Sequence, residues 1–186
     1  MTGLIWTALG VAALVSVIAV AAARVHARTM QAREIERASR PEALRDAKLV
    51  YVEKLFRIRS PINLVAKLDR GYRNPDGQIV LVELKTRWSH KAYFTDVIQL
   101  SAQRLAVFVH SGNPVATHGY VLVRSPGKRF KQSAHRVELL PPDALTALAH
   151  RRAEILAGRT PARYAESTKA CRNCAYRQAC DRPRHE

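Results

Sequence analysis

Residues 63–87 read NLVAKLDRGYRNPDGQIVLVELKTR, two largely apolar segments on either side of a polar turn. Asn74-Pro75-Asp76-Gly77 is a turn signal, with Pro preset for a turn and Gly free to take a positive φ. The flanking segments, Asn63–Tyr72 and Gln78–Thr86, then form the two strands of a hairpin. Ile79-Val80-Leu81-Val82 is continuously apolar, as a strand covered on both faces is. Three charged residues break the apolar pattern: Asp69 late in the first strand, and Glu83 and Lys85 late in the second. Glu83 and Lys85 are two apart, so a strand points both to one face. Folding about the turn brings Asp69 to within about one residue of register with Glu83, where cross-strand Cβ atoms are ~5 Å apart. A bulge would correct the offset. Two carboxylates that close repel each other unless a cation lies between them, and they are hard oxygen ligands of the kind Mg²⁺ or Mn²⁺ takes. The Leu84 carbonyl could add another oxygen, and Lys85 would orient an attacking water or neutralise developing charge. A Glu-x-Lys pair is common on surface hairpins. Its place inside an apolar strand singles this one out, because burying both charges is costly without a metal or partner.

Around the hairpin the pattern alternates. Residues 28–57 read as helix, restarted at Pro41, with Leu44, Ala47, Val50, Tyr51 and Leu55 making an apolar face of the piece over 42–56. Thr95–His110 is helical in pattern and is closed by Ser111-Gly112-Asn113-Pro114. His118–Arg124 is a strand, Ser125–Ala134 a basic loop, Arg136–Leu140 a short strand, and 142–157 a helix opened by Pro141-Pro142. That order predicts an α/β fold, a mixed sheet with helices packed on it.

Charge separates the chain into parts. Of 186 residues, 31 are Lys or Arg and 15 Asp or Glu, for a net charge of +16, and none of these lies in residues 1–23. A domain this basic suggests a polyanionic partner, nucleic acid first and anionic lipid second; the alternative is a merely solvated basic surface. Leu4–Ala23 is an uncharged apolar run whose length matches the ~30 Å hydrocarbon core of a bilayer. Arg24, Arg28 and Arg33 follow it, so the positive-inside rule places the later residues on the cytoplasmic side of a cell inner membrane, held by a single-pass transmembrane helix. A cleaved signal peptide is the competing reading, but it calls for a charged region ahead of the run. The expected organisation is an anchor over 1–27, a domain over 28–160, and a basic cysteine-bearing tail over 161–186 packed on the domain. That tail holds all three cysteines, Cys171, Cys174 and Cys180, as C-x2-C-x5-C. So close a set points to a metal or cluster site in a reducing compartment.

Asp69 followed by Glu83-Leu84-Lys85 around a hairpin resembles the motif of PD-(D/E)XK nucleases. The helix carrying Gln99-Leu100-Ser101-Ala102-Gln103 is similar to that of RecB-like and CRISPR-associated exonucleases, which have Gln-x-x-x-Tyr; Gln99 matches, and Gln103 stands where Tyr would be. The resemblance implies a restriction-endonuclease-like sheet and Mg²⁺- or Mn²⁺-dependent hydrolysis of DNA. Asp69 and Glu83 would hold the metal, Lys85 would assist the water, and Gln99 would position the substrate. It also implies another acidic ligand from the preceding helix, for which Glu53 is the candidate and Asp46 or Glu42 the alternatives. Gln103, on the same helix face, and the basic Arg124, Lys128, Arg129 and Lys131 would contact the nucleic acid. The cysteines are similar to those of the iron–sulfur nucleases of this group, where a [4Fe–4S] cluster has a fourth cysteine. None exists here, so His185, an open position, zinc bound as Cys₃His, or a degenerate remnant remain as alternatives. Two other functions stay open: a non-catalytic DNA tether within a DNA-processing complex with protein partners, and a structural membrane protein binding anionic lipid. Serine or cysteine hydrolase chemistry is unsupported: there is no Gly-x-Ser-x-Gly, and no Gly-rich phosphate loop.

Overall fold

The hairpin forms around the expected turn. In a computed structural model of the chain, residues 2–127, 132–164, 168–172, 174–175 and 177–180 are described, the side chains of 2–15 and 168–169 apart. Asn74 clamps the loop: its amide donates to the Gln78 carbonyl at 2.9 Å, and its side-chain oxygen accepts from the Gln78 amide at 2.8 Å. Gly77 has φ +81°, which a residue without a Cβ adopts cheaply. Strands β2 (Leu64–Arg73) and β3 (Ile79–Thr86) run antiparallel from this loop, with Arg73 opposite Ile79 and Arg70 opposite Val82.

β1 (Lys48–Ile58) precedes them and pairs antiparallel with β2. This corrects the helix expected over 42–56, of which only a short 3₁₀ turn, Glu42–Leu44, is helical. The apolar residues of this segment satisfy a period of two as well as 3.6, and Val50, Tyr51, Val52 and Phe56 favour a pleated surface. What decides is β2, whose outer backbone groups would otherwise lack partners. Between the pairs Val52–Arg70 and Lys54–Leu68 stand Glu53 and Asp69, and Glu53 takes φ +47°, a left-handed conformation that strains a non-glycine residue.

Beyond β3 come α2 (Phe94–Ser111), β4 (Val115–Arg124), β5 (Gln132–Glu138), α3 (Pro142–Leu156) and the short α4 (Thr168–Arg172). β5 begins earlier than the 136–140 expected, because the whole of Gln132–Glu138 pairs with β4. Among the described residues the sheet has five strands in the order β1-β2-β3-β4-β5, with β3 and β4 parallel and the other neighbours antiparallel. The expected mixed sheet flanked by helices is present. One face packs Phe56, Leu68, Leu81, Val121 and Val123 against Leu100, Ala106 and Val107 of α2. The other face joins Tyr72, Val80, Val82 and Leu122 to Leu44 and Ala47. Alternation along β3 therefore sends Leu81, Glu83 and Lys85 toward α2.

At the front, α1 (Thr2–Ala38) is one uninterrupted helix, so the boundary expected at 27/28 falls inside it. Its end is tied to the sheet. Arg40 grips the Glu36 carboxylate through two bonds of 2.8 Å, the Tyr72 hydroxyl donates to that carboxylate, and Arg70 donates to the Ser39 hydroxyl at 2.8 Å. Among the described residues no helix is long and apolar enough to cross a membrane. The run Leu4–Ala23 falls mostly on residues whose side chains lie outside the description.

Gly119 of β4 lies against β3 so closely that a Cβ there would stand 3.0 Å from the Leu81 carbonyl oxygen. Gly119→Ala should destabilise the chain by about 1–3 kcal/mol through this overpacking. A lowered denaturant midpoint at unchanged slope is the expected result; an unchanged midpoint would mean that the β3–β4 spacing relaxes freely.

Candidate active site

Glu83 ends the buried run of β3 and is itself only 3% exposed. A carboxylate so placed needs donors, and the neighbouring elements supply them. Oε1 accepts from Lys85 Nζ at 2.8 Å and from Gln99 Nε2 at 2.7 Å, and Oε2 accepts from Gln103 Nε2 at 2.8 Å. Lys85 Nζ also donates to Gln99 Oε1 at 2.8 Å, closing a triangle of Glu83, Lys85 and Gln99. The two glutamines meet one carboxylate because positions i and i+4 share a helix face. Asp69 joins from β2. Asp69 lies one residue beyond the last paired position of β2, and Glu83 one residue beyond that of β3, the pair Arg70–Val82. Asp69 Oδ2 accepts from the Leu84 amide at 2.8 Å, reaching across to the strand that carries Glu83.

The structure thus brings together Asp69, Glu83, Lys85 and Gln99. It corrects the role expected of Gln103. At 1% exposure this side chain cannot touch a nucleic acid; it spans Glu83 and the Lys67 carbonyl, the latter at 2.9 Å, and positions the acid. Glu53 is also corrected. It lies on β1, not on a helix, and its carboxylate pairs with Lys67. That hydrogen bond and the charge of Glu53, with Asp69 adding to it, raise the Lys67 pKa. Glu42 is exposed and paired with Arg45, and Asp46 follows in a turn. The acid that the preceding helix delivers to the sheet is Glu36, but it meets Tyr72, on the face away from Glu83. Arg124 is exposed at the end of β4, beside Thr86 of β3. Lys128, Arg129, Lys131 and His185 lie outside the described residues. Cys171 is half-buried and Cys174 and Cys180 are exposed; among the described residues no three His, Cys, Asp or Glu side chains are grouped to hold a metal.

The donor set fits a hydrated divalent cation. Glu83 Oε2 accepts one hydrogen bond and so keeps a lone pair, and Asp69 Oδ1 makes no hydrogen bond among the described residues. Gln103 Oε1 is a buried acceptor with no donor, which a water of the ion's shell would satisfy. All are hard oxygens suited to Mg²⁺ or Mn²⁺.

One supporting residue escaped the sequence reading. Asp96 is buried beneath the segment joining β3 to α2. It accepts from Arg87 at 2.7 Å and from the Tyr93 amide at 2.8 Å, a capping box at the start of α2. Burial alone pushes its pKa up, but the Arg87 guanidinium, the Tyr93 amide and the charge of Lys85 outweigh this and hold the carboxyl below its ordinary value. Its position three residues after Tyr93 was the available signal.

A buried carboxylate beside a half-buried lysine on a central strand, with a second carboxylate on the hairpin partner, defines a candidate site for metal-assisted attack on a phosphate ester. The family model of the PD-(D/E)XK nuclease superfamily matches residues 5–181. The chain belongs to that superfamily, whose members are typically nucleases using divalent metals such as Mg²⁺. Among solved structures, that of SSO0001 is similar at 16% identity and a TM-score of 0.44, covering 72% of this chain. This chain spans 59% of that protein's length. No curated protein matches it.

Two outcomes follow for the site. Gln103→Leu leaves the Glu83 carboxylate and the Lys67 carbonyl each short of a buried donor, and should cost roughly 1–3 kcal/mol in an unfolding titration; an unchanged midpoint would show that water replaces the amide. Asp96, with its lowered pKa, contributes stability that is present above the unfolded carboxylate pKa of about 3.9 and is lost as the pH falls through the folded value. The stability gap between the parent chain and Asp96→Asn should therefore narrow below about pH 3.9. A gap constant into the acid limb would remove the charge from this account.

Proposed function

We propose that this protein is a Mg²⁺- or Mn²⁺-dependent deoxyribonuclease held at the cytoplasmic face of the cell inner membrane by Leu4–Ala23. The observation that carries the reading is Glu83, buried and ringed by Lys85, Gln99 and Gln103, with Asp69 bonded to the adjoining amide. A divalent cation held by Asp69 and Glu83 would supply Lewis-acid polarisation of a phosphate oxygen. The protein's own groups do the rest. Gln99 holds the Lys85 ammonium in one orientation, and that fixed positive charge faces the negative charge that develops as water attacks the phosphate. Arg124, with Lys128, Arg129 and Lys131 after it in the sequence, would hold the DNA backbone by charge, in keeping with the net charge of +16.

The anchor rests on the uncharged run and the arginines that follow it, and on α1 being unbroken into the segment that docks on the sheet. The cysteine spacing supports a [4Fe–4S] cluster in the tail, with zinc as the other occupant. Protein partners in a DNA-processing complex would give a reason for holding such a domain at a membrane.

The test is cleavage of labelled single- and double-stranded DNA by the full chain, purified without oxygen, with Mn²⁺, with EDTA, and as Glu83→Ala and Lys85→Ala. EDTA and Glu83→Ala should abolish cleavage, and Lys85→Ala should slow it by about 10²–10³-fold, the usual loss for one group that stabilises transition-state charge. DNA bound but uncut by the folded protein would select the tethering reading, and binding to anionic vesicles without preference for DNA would select the lipid-binding one.

A further inference from the structure

The segment between Lys85 and Gln99 does more than connect them. It is fixed at three points. The Arg87 amide donates to the Arg124 carbonyl at 3.0 Å and its guanidinium grips Asp96. His90 exchanges hydrogen bonds with the hydroxyls of Ser125 and Ser133, the latter at 3.1 Å. The Tyr93 amide is held by Asp96 at 2.8 Å. Yet this tethered loop leaves two large aromatic side chains in water, Trp88 at 75% exposure and Phe94 at 62%. Tyr93, between them in sequence, is already engaged, with the Arg87 guanidinium 4.4 Å and the Lys91 ammonium 5.5 Å from its ring centre.

We infer that Trp88 and Phe94 form a base-stacking platform for unpaired nucleic acid strands beside the active site. The inference rests on the nuclease reading for its location and adds the substrate class. Trp88 is three residues from Lys85, within about 11 Å along an extended chain. Phe94 begins α2 five residues before Gln99, about 7.5 Å along the helix. Both exposed rings thus belong to residues within about 11 Å of a site residue along the chain. Stacking on a side chain needs an exposed base face, which a single strand offers and a duplex hides within its own stack. The charge is complementary: Lys91 lies over the Tyr93 ring of the same segment, the exposed Arg124 bonds through its carbonyl to the Arg87 amide, and the chain as a whole carries +16. Fixing the loop in advance lowers the ordering cost of stacking.

The test uses the full chain in EDTA, so that binding is read without cleavage. The chain has two tryptophans, Trp6 and Trp88, so Trp6→Phe isolates the signal of Trp88. Oligodeoxythymidylate should quench this fluorescence and bind in preference to its duplex with oligodeoxyadenylate. Trp88→Ala and Phe94→Ala should each weaken single-strand binding by about 5- to 100-fold while barely changing duplex binding, and Trp88→Phe should restore most of it. Because both side chains are exposed, the variants should melt as the parent does. Absence of quenching, equal binding of duplex, or a neutral Trp88→Ala would each overturn the inference. Quenching and preference in a protein that never cuts DNA would sink the nuclease reading and leave the platform standing; cleavage that ignores strandedness and Trp88 would do the reverse.

Discussion

A buried carboxylate organises this structure. Leaving Glu83 unpaired would cost several kcal/mol, comparable to the 1.5–3 kcal/mol or so that each buried Val, Leu or Ile of β3 contributes. The strand can carry it only because α2 presents two glutamine amides and the strand itself presents Lys85. α2 must therefore cross the sheet at one place and one rotation, and its start is set by Asp96 and Arg87. The same arrangement that makes the burial affordable holds a lysine and a carboxylate in fixed relation, which is what metal-assisted phosphate chemistry needs.

A second polar cluster holds the other face. Glu36, Arg40, Ser39, Arg70 and Tyr72 join the end of α1 to β2, with Arg40 also 5.1 Å over the Tyr72 ring. Burial and the adjacent Glu36 push the Tyr72 pKa up to about 12, so the phenol stays a hydrogen-bond donor across the physiological range. Through this cluster any force or constraint on α1 reaches the strand that bears Asp69. If α1 is a membrane anchor, as proposed, the active-site face has a defined attitude toward the bilayer instead of swinging on a linker.

The segment 87–93 belongs to both accounts. Its buried contacts set the entry of α2, and its Trp88, with Phe94 at the start of α2, stands exposed.

The hairpin, its turn, α2 and the pairing of Glu83 with Lys85 were all legible in the sequence, because they rest on local signals: a turn tetrapeptide, a β-branched run, and the strand rule that residues two apart share a face. The segment 42–56 was misread because its apolar spacing suits both periods, and only the unpaired edge of β2 makes it a strand. Asp69 and Glu83 each lie one step past the last β2–β3 pair, Arg70–Val82, an alignment that the turn residues alone leave open by about one residue because it depends on which hydrogen bonds Asn74 makes. The place of Gln103 was decided by depth: sequence puts it on the face of Gln99, but its burial against Lys67 and Glu83 follows from how closely α2 packs on the sheet. Side-chain periodicity is local, so the residue pattern alone puts Glu83 and Lys85 on one face of their strand and Gln99 and Gln103 on one face of their helix; which of those polar groups face solvent and which hold others in place follows from the packing of α2 on the sheet, since desolvation depends on neighbours distant in the chain.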